Sequence, residues 1–165
     1  MASLATDIDA LRLGSHDLSA MREILGMPTA AAGAVLTLPG IFSVLFHYMG
    51  EDREFPVTYE SGSHDVPQFD AHIEVYGPTK IVRVEWDSPY VKGLPVTMTV
   101  KEKIGDGGLQ ERKVRKTYED PYTLEFLEWW AVVVEGKKIK TNLLDAGKDL
   151  DLYGMILRAG NETYR

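Results

Sequence analysis

Apolar and polar residues alternate with a period of two through the middle of the chain, from about residue 30 to residue 117. Alternation of this kind is typical of half-buried antiparallel strands. Clusters of Gly, Pro and Asp separate the alternating segments, which predicts six or seven strands in a meander. The apolar members of the clearest segments are Phe42, Val44, Phe46 and Tyr48; Phe69, Ala71, Ile73 and Val75; Val82, Val84 and Trp86; and Leu94, Val96, Met98 and Val100.

The period changes to 3.6 before and after this region, which predicts helices. The first covers residues 17–25, with Ser15 as its N-cap and Gly26 and Pro28 ending it. A second begins with Asp120 as N-cap and Pro121 in the first turn, and Gly136 ends it. A third covers residues 142–159. The predicted core stripes are Leu124, Leu127, Ala131 and Val134 in the second helix, and Leu143, Ala146, Leu150, Tyr153 and Ile156 or Leu157 in the third.

Strands followed by helices predict an α+β fold, an open and mainly antiparallel sheet of six or seven strands with helices packed on one face. The length of 165 residues is that of one domain, and we expect residues 1–165 to form a single one. An open apolar sheet face is seldom left bare to water, so the pattern also predicts a homo-oligomer that pairs through this face. The alternative is that the aromatic residues only fill the helix–sheet core.

Composition excludes several classes of function. The chain has no cysteine, so it forms no disulfide and has no thiolate ligand or nucleophile. A net charge of −7 argues against nucleic acid and anionic membrane surfaces as partners. The longest apolar stretches, such as residues 30–38, are too short for a membrane span, and the first ten residues contain two Asp and no basic segment. We therefore expect a cytoplasmic protein.

Two segments resemble motifs of the Gfo/Idh/MocA oxidoreductases. Residues 13–28 read LGSHDLSAMREILGMP, and residues 120–126 read DPYTLEF, followed by a GKKIKT connector and by DAGKDL at residues 145–150. The order of helix, strand meander and two helices is also similar. The resemblance covers about residues 10–160 and implies the C-terminal domain of that family, which carries the substrate pocket and the oligomer interface.

The family's N-terminal Rossmann domain, which binds NAD(P), has no counterpart in this sequence. A dinucleotide fingerprint requires G-x-G-x-x-G between a strand and a helix. The nearest glycine cluster, at residues 105–108, lies between two predicted strands and is interpreted as a hairpin turn. We therefore expect no cofactor.

The resemblance implies that His16 is the histidine beside the substrate carbon, and so the candidate catalytic acid or base. The other interpretation of His16 is a capping or pocket-lining residue without chemistry. Arg12 occupies the position where the family often has an aspartate. If Arg12 and His16 share a helix face, the positive charge makes His16 easier to deprotonate.

Further candidate substrate-binding residues are Tyr59, Asp70, His72 and Tyr122. The first three lie on adjacent strands if the turn at residues 62–67 closes a hairpin, and Tyr122 begins the second helix. The charged members equally fit the solvated polar face of a sheet. No two of the four histidines have the close spacing of a metal site, so we expect no metal.

Two functions remain open. In the first, the chain is a stand-alone enzyme that uses the inherited pocket without NAD(P), for an isomerisation, cyclisation or elimination of a small oxygenated metabolite. In the second, it is a non-catalytic substrate-binding or dimerisation half of a split or truncated oxidoreductase, with a separate Rossmann-domain partner. The sequence begins with its own Met1, which favours the first.

Overall fold

A computed structural model describes residues 14–37, 41–62 and 65–163 of the chain. Two compact units are present, one comprising Met1–Asp65 with Lys140–Arg165 and the other Val66–Ile139. The first is called the split unit because its sequence is interrupted, and the second the inserted unit. The prediction of one domain over residues 1–165 stays a prediction.

The split unit consists of a three-stranded antiparallel sheet and two helices. Its strands are paired in the order β1, β2, β3. Side chains from both helices and from one face of this sheet form a single core. The elements are α1 (Ser15–Leu25), β1 (Ala30–Thr37), β2 (Ile41–Met49), β3 (Glu54–Ser61) and, at the end of the chain, α3 (Leu143–Thr163).

Strand β2 is the centre of this core and follows the predicted alternation. Phe42, Val44, Phe46 and Tyr48 are at most 3 % exposed, while the residues between them are exposed. They pack with Leu18 and Met21 of α1 and with Leu152, Ile156 and Ala159 of α3. The prediction that helices lie on one face of a sheet is therefore confirmed for this unit.

The ends and faces of the two helices differ in part from prediction. Helix α1 ends as predicted at Gly26, whose φ is 80°. Its N-cap is Gly14, without a side-chain hydrogen bond, so the assignment of Ser15 as N-cap is wrong. In α3 the predicted Leu143 and Leu150 are 91 % and 70 % exposed. The second half of the predicted stripe is confirmed, because Ile156 is buried and Tyr153 and Leu157 pack against the core. Leu152 and Ala159 complete the buried face.

The inserted unit contains a separate sheet of four antiparallel strands in sequence order, followed by one helix. The prediction of one continuous sheet is therefore wrong, although the α+β class is confirmed and the described strands number seven. Hairpin partners are normally joined by two to five residues, whereas nine separate Ser61 from Ala71. The elements are β4 (Ala71–Tyr76), β5 (Lys80–Trp86), β6 (Thr97–Ile104), β7 (Gly108–Val114) and α2 (Pro121–Glu135).

Both ends of α2 are as predicted, but its core stripe is not. Asp120 accepts a hydrogen bond from the Thr123 N–H at 3.0 Å, and Gly136 ends the helix with a φ of 70°. Leu124, Leu127 and Val134 are 43 %, 56 % and 61 % exposed, and no residue of this helix is buried. None of the described helices is long and apolar enough to cross a membrane.

Glycines along α3 offer a matched test of how closely this helix packs on β1. A Cβ added at Gly160 would lie 2.6 Å from Leu36 Cδ1, whereas one added at Gly147 would meet nothing within 4 Å. We expect Gly160→Val to lower the free energy of unfolding by about 1–3 kcal/mol, because it overpacks this contact. Gly147→Ala should raise the free energy of unfolding by up to about 1 kcal/mol, since Ala favours the helix. Chemical denaturation measures the free energy of unfolding of both variants. If the two substitutions changed it equally, the close packing of α3 on β1 would be contradicted.

Candidate functional site

The structure distributes the candidate residues over both units. His16 and Tyr59 belong to the split unit, whereas Asp70, His72 and Tyr122 belong to the inserted unit. Strands β3 and β4 are in different sheets. The expectation that a hairpin makes Tyr59 the strand neighbour of Asp70 and His72 is therefore wrong. Arg12 lies outside the described residues.

Two of the candidates in the inserted unit form an exposed pair. His72 Nδ1 lies 3.1 Å from Asp70 Oδ1, with 37 % and 58 % of their side chains exposed. An exposed contact of this kind contributes little to stability and is common on solvated sheet faces. Tyr122 is 44 % exposed in the first turn of α2, with its ring centroid 6.5 Å from that of Tyr90. The roles of these three residues in binding stay predictions.

The polar face of β4–β7 carries a shallow groove of about 330 Å³. Its acids and bases pair with one another, as in Arg83 Nε to Glu85 Oε1 at 3.0 Å and Lys101 Nζ to Glu111 Oε2 at 3.8 Å. Because these charges largely compensate, the groove does not select an anion or a cation. It fits the interpretation of a solvated sheet face.

The split unit brings a set of polar side chains together beside its core. They come from α1, β3 and α3, and each interacts electrostatically with at least one other member. We call this set the inner polar cluster, and its members are Ser15, Asp17, Tyr59, Ser61 and Tyr153. Tyr59 is 8 % exposed and the other four are half-buried, so the cluster has a buried end and an open end.

Tyr59 is the buried end of the cluster, and its hydroxyl has no hydrogen-bond partner among the described residues. Burial, then the nearby charge of Asp17, raises the pKa of Tyr59 well above its usual value. Ser61 acts in the opposite direction and favours the phenolate, although no hydrogen bond of normal geometry joins the two hydroxyls. A buried polar atom without a partner is uncommon in native structures and costs about 1–3 kcal/mol.

Asp17 is the acid of the cluster. Burial raises its pKa above the usual 3.8, and the adjacent His16 partly opposes this increase. A carboxyl group held closer to neutrality is better suited to exchange a proton than an ordinary surface aspartate. His16 itself is exposed at the start of α1. Asp17 is therefore the residue in the cluster best placed to act as an acid or base.

Tyr153 connects the cluster to α3. Burial, and then the charge of Asp149, raise the pKa of Tyr153, while an interaction with the Ser15 hydroxyl lowers it. Helices α1 and α3 thus both contribute a hydroxyl group to the cluster, Ser15 and Tyr153, and Tyr153 also interacts with Tyr59, which is influenced by Asp17. The arrangement can donate and accept several hydrogen bonds around one titratable carboxyl group, which suits a ligand with several hydroxyl groups.

Sequence reasoning identified Tyr59 but missed the acid beside it. An aspartate in the first turn of a helix is ordinarily explained by the helix dipole, so Asp17 gave no separate signal. Ser61 and Tyr153 join the cluster only through the packing of β3 and α3 in the folded chain. In the described part of the chain, no three His, Asp or Glu residues are placed to hold a metal ion.

Comparisons with known proteins do not assign the chain to a family. No protein-family model, no curated protein and no solved structure matches the chain.

Proposed function

We propose that the chain binds a small hydroxylated metabolite at the inner polar cluster and that Asp17 transfers a proton to or from it. The observation that carries this proposal is the Tyr59 hydroxyl, buried and without a partner among the described residues. A ligand hydroxyl that accepts this O–H would supply the missing hydrogen bond. Ser15, Ser61 and Tyr153 would orient the other hydroxyl groups of the ligand.

The chemistry that these residues support needs no redox step. Asp17 removes a proton from the bound molecule and then either returns it at another position or delivers it to a leaving hydroxyl group, which departs as water. The neighbouring His16 exchanges the proton with water at the open end of the cluster. Isomerisation, cyclisation and elimination of an oxygenated metabolite all follow this course.

The resemblance to the C-terminal domain of Gfo/Idh/MocA oxidoreductases supports the same proposal. It implies an inherited substrate pocket beside His16, used here without NAD(P). A cytoplasmic location is part of this proposal.

The exposure of His16 favours a second candidate. A histidine at an open surface suits a chain that supplies the substrate-binding half of an oxidoreductase, with a separate Rossmann domain closing over it. In that case the inner polar cluster binds the substrate, and hydride transfer takes place only when the partner is present.

Ligand binding by the whole chain tests the proposal. A panel of sugars, inositols, polyols and hydroxy acids is screened by calorimetry, and each binder is incubated with the chain while NMR follows conversion without added cofactor. We expect conversion of at least one binder, and a loss of about 100-fold or more in turnover in Asp17→Asn with binding retained. The exposed Asp151 on α3 provides the matched control, Asp151→Asn.

Three outcomes separate the candidates. Unchanged turnover in Asp17→Asn would contradict the role of this carboxyl group. Binding without any conversion would favour the half-oxidoreductase. Micromolar binding of NAD(H) or NADP(H) by the chain alone would contradict both.

A further inference from the structure

Strand β4 forms one edge of the sheet in the inserted unit. Among the described strands it pairs only with β5, in a regular antiparallel register. Their hairpin closes with a hydrogen bond in which the Gly77 N–H donates to the Lys80 carbonyl oxygen at 2.8 Å. Since the backbone groups of successive strand residues point to alternate sides, those of His72, Glu74 and Tyr76 point away from β5. This edge therefore presents a row of backbone donors and acceptors that no described strand pairs.

The other edge strands of the two sheets carry features that prevent pairing with another chain. Natural proteins protect such edges with bulges, prolines and charged side chains, especially lysine. Strand β1 has an irregular register between Ala31 and Gly33, β3 contains Pro56, and β7 carries three consecutive charges at residues 111–113. Strand β4 has the sequence AHIEVY, without proline, lysine or a bulge. It is therefore the edge best suited to pair with another strand.

We propose that β4 is the contact between two copies of this chain, which pair antiparallel about a two-fold axis at Ile73. Their four-stranded sheets then join into a single sheet. This register sets His72 opposite Glu74 of the second copy, and both residues point their backbone groups outward, so each such pair exchanges two hydrogen bonds. Ala71 lies opposite Val75, which continues the apolar face across the axis. The dimer is closed, because the edges of the joined sheet are the two charged β7 strands.

The charges of β4 favour this register over its two neighbours. Sliding one strand by two residues sets Glu74 opposite Glu74 in one direction and Asp70 opposite Glu74 in the other. Like charges directly opposite each other are destabilising. In the proposed register Glu74 instead lies opposite His72, and this contact is attractive when the His72 ring is protonated.

The contacts that these side chains already make leave room for the new one. His72 Nδ1 lies 3.1 Å from Asp70 Oδ1, so in the protonated ring Nε2 is the nitrogen that donates to the second copy. Glu74 Oε2 lies 3.5 Å from Arg83 Nη1. A carboxylate has about four acceptor positions, so Glu74 can accept a further hydrogen bond without losing this contact.

The size of the contact sets its strength. Strand addition obtains its affinity from backbone hydrogen bonds and its specificity from the side chains that alternate along the strand. An edge of six residues buries less surface than a standard interface. We therefore expect a weak dimer that forms as the protein concentration rises.

Two glutamates on opposite edges of this sheet provide a matched pair of substitutions. The Lys103 N–H donates to the Thr79 carbonyl oxygen at 3.0 Å, so alternate residues of β6, including Lys101, face β5. Glu111 is the register partner of Lys101, and its backbone groups therefore point away from β6, as those of Glu74 point away from β5. Proline at either position removes an outward N–H and keeps the hydrogen bonds to the neighbouring strand.

Sedimentation of the whole chain over a range of concentrations, with Glu74→Pro as the variant and Glu111→Pro as the control, tests the proposal. We expect the dissociation constant of the dimer to rise about 10-fold or more in Glu74→Pro, because the symmetric contact loses two backbone hydrogen bonds. Glu111→Pro should dimerise as the wild type does. Circular dichroism reports whether each variant is folded.

A charge exchange tests the register without introducing proline. His72→Glu and Glu74→Lys should each weaken the dimer about 3-fold to 10-fold, and the double variant should restore it. Failure of the double variant to recover would overturn the register centred on Ile73.

Three sedimentation results would overturn the β4 contact itself. The first is a chain that stays monomeric at its highest soluble concentration. The second is a dimer that is weakened equally by Glu74→Pro and Glu111→Pro. The third is a dimer retained in a folded Glu74→Pro variant, which would place the contact on another surface, such as the sheet face favoured by the sequence analysis.

Discussion

Replacing Arg22 with alanine is expected to lower the free energy of unfolding by roughly 2–3 kcal/mol. The Arg22 side chain is 7 % exposed and joins α1 to α3. Its Nη1 and Nη2 donate to the two carboxylate oxygens of Asp145 at 2.7 Å and 2.9 Å, and its Nε donates to Asp149 Oδ1 at 2.8 Å. Loss of the guanidinium leaves the Asp149 carboxylate without this partner and leaves Asp145 with only the more distant Lys148, whose Nζ lies 3.8 Å from Asp145 Oδ1. Urea denaturation of the two proteins measures the difference.

Two further variants determine what the arginine contributes. Arg22→Lys keeps the charge but not the planar set of donors, so it should recover only part of the lost stability. Lys140→Ala removes an exposed ion pair with Glu23, in which 70 % and 59 % of the side chains are exposed, and should change stability by less than about 0.5 kcal/mol. If Arg22→Ala costs no more than Lys140→Ala, the arginine does not hold the two helices together.

The same contact predicts how stability depends on pH. Hydrogen bonds from Arg22 hold the pKa of Asp145 below its usual 3.8. A carboxyl group with a lowered pKa in the folded state contributes stability that is complete above its unfolded pKa and is lost as the pH falls through the folded value. The wild-type chain should therefore lose stability below about pH 4. This acid-dependent loss should be smaller in Arg22→Ala.

Local patterns predicted those parts of the fold that local geometry determines. The alternation along β2 indicates which side chains are buried because successive residues of a strand point to opposite faces. Asp120, Pro121 and Gly136 indicate the ends of α2 because capping depends on the residues at the helix ends themselves. These features needed no knowledge of distant partners.

Features that depend on distant parts of the chain were not predictable in this way. Arg22 pairs with carboxylates more than 120 residues away, and its position on α1 looks like an ordinary basic residue in the last turn. The division into two sheets depends on which strands pair, and the long connection between β3 and β4 does not determine that pairing. Periodicity places Leu124, Leu127, Ala131 and Val134 on one apolar face of α2, but it does not indicate what covers that face.

The candidate site likewise combines residues that the sequence indicates with contacts that only the fold provides. His16 came from the resemblance to an oxidoreductase family, and its chemistry stays a prediction. Tyr59 was named as a residue of a strand, but its burial beside Asp17 follows from the packing of α1 on β3 in the folded unit. Sequence therefore supplied candidate residues, and only the fold indicated which of them share an environment.

Replacing Tyr59 with phenylalanine should separate ligand binding from stability. The Tyr59 and Tyr48 hydroxyls are both buried without a hydrogen-bond partner among the described residues. Replacing either tyrosine with phenylalanine removes a buried polar atom that has no partner. The free energy of unfolding of each variant should therefore equal that of the wild type or exceed it by up to about 1 kcal/mol. The two tyrosines differ in their neighbours. Asp17 and Tyr153 influence Tyr59, whereas Tyr48 stacks on Phe55 at 5.4 Å and burial raises its pKa to about 12.

Only Tyr59→Phe should therefore weaken the ligand identified by calorimetry, by about 10-fold or more, because a buried hydrogen bond to the ligand is lost. Tyr48→Phe is the matched control and should bind as the wild type does. Thermal unfolding of each variant without ligand checks the stability side of the prediction. Unchanged affinity in Tyr59→Phe would contradict the proposed binding site. A loss of stability in Tyr59→Phe alone would mean that its hydroxyl is paired within the folded chain and is not held for a ligand.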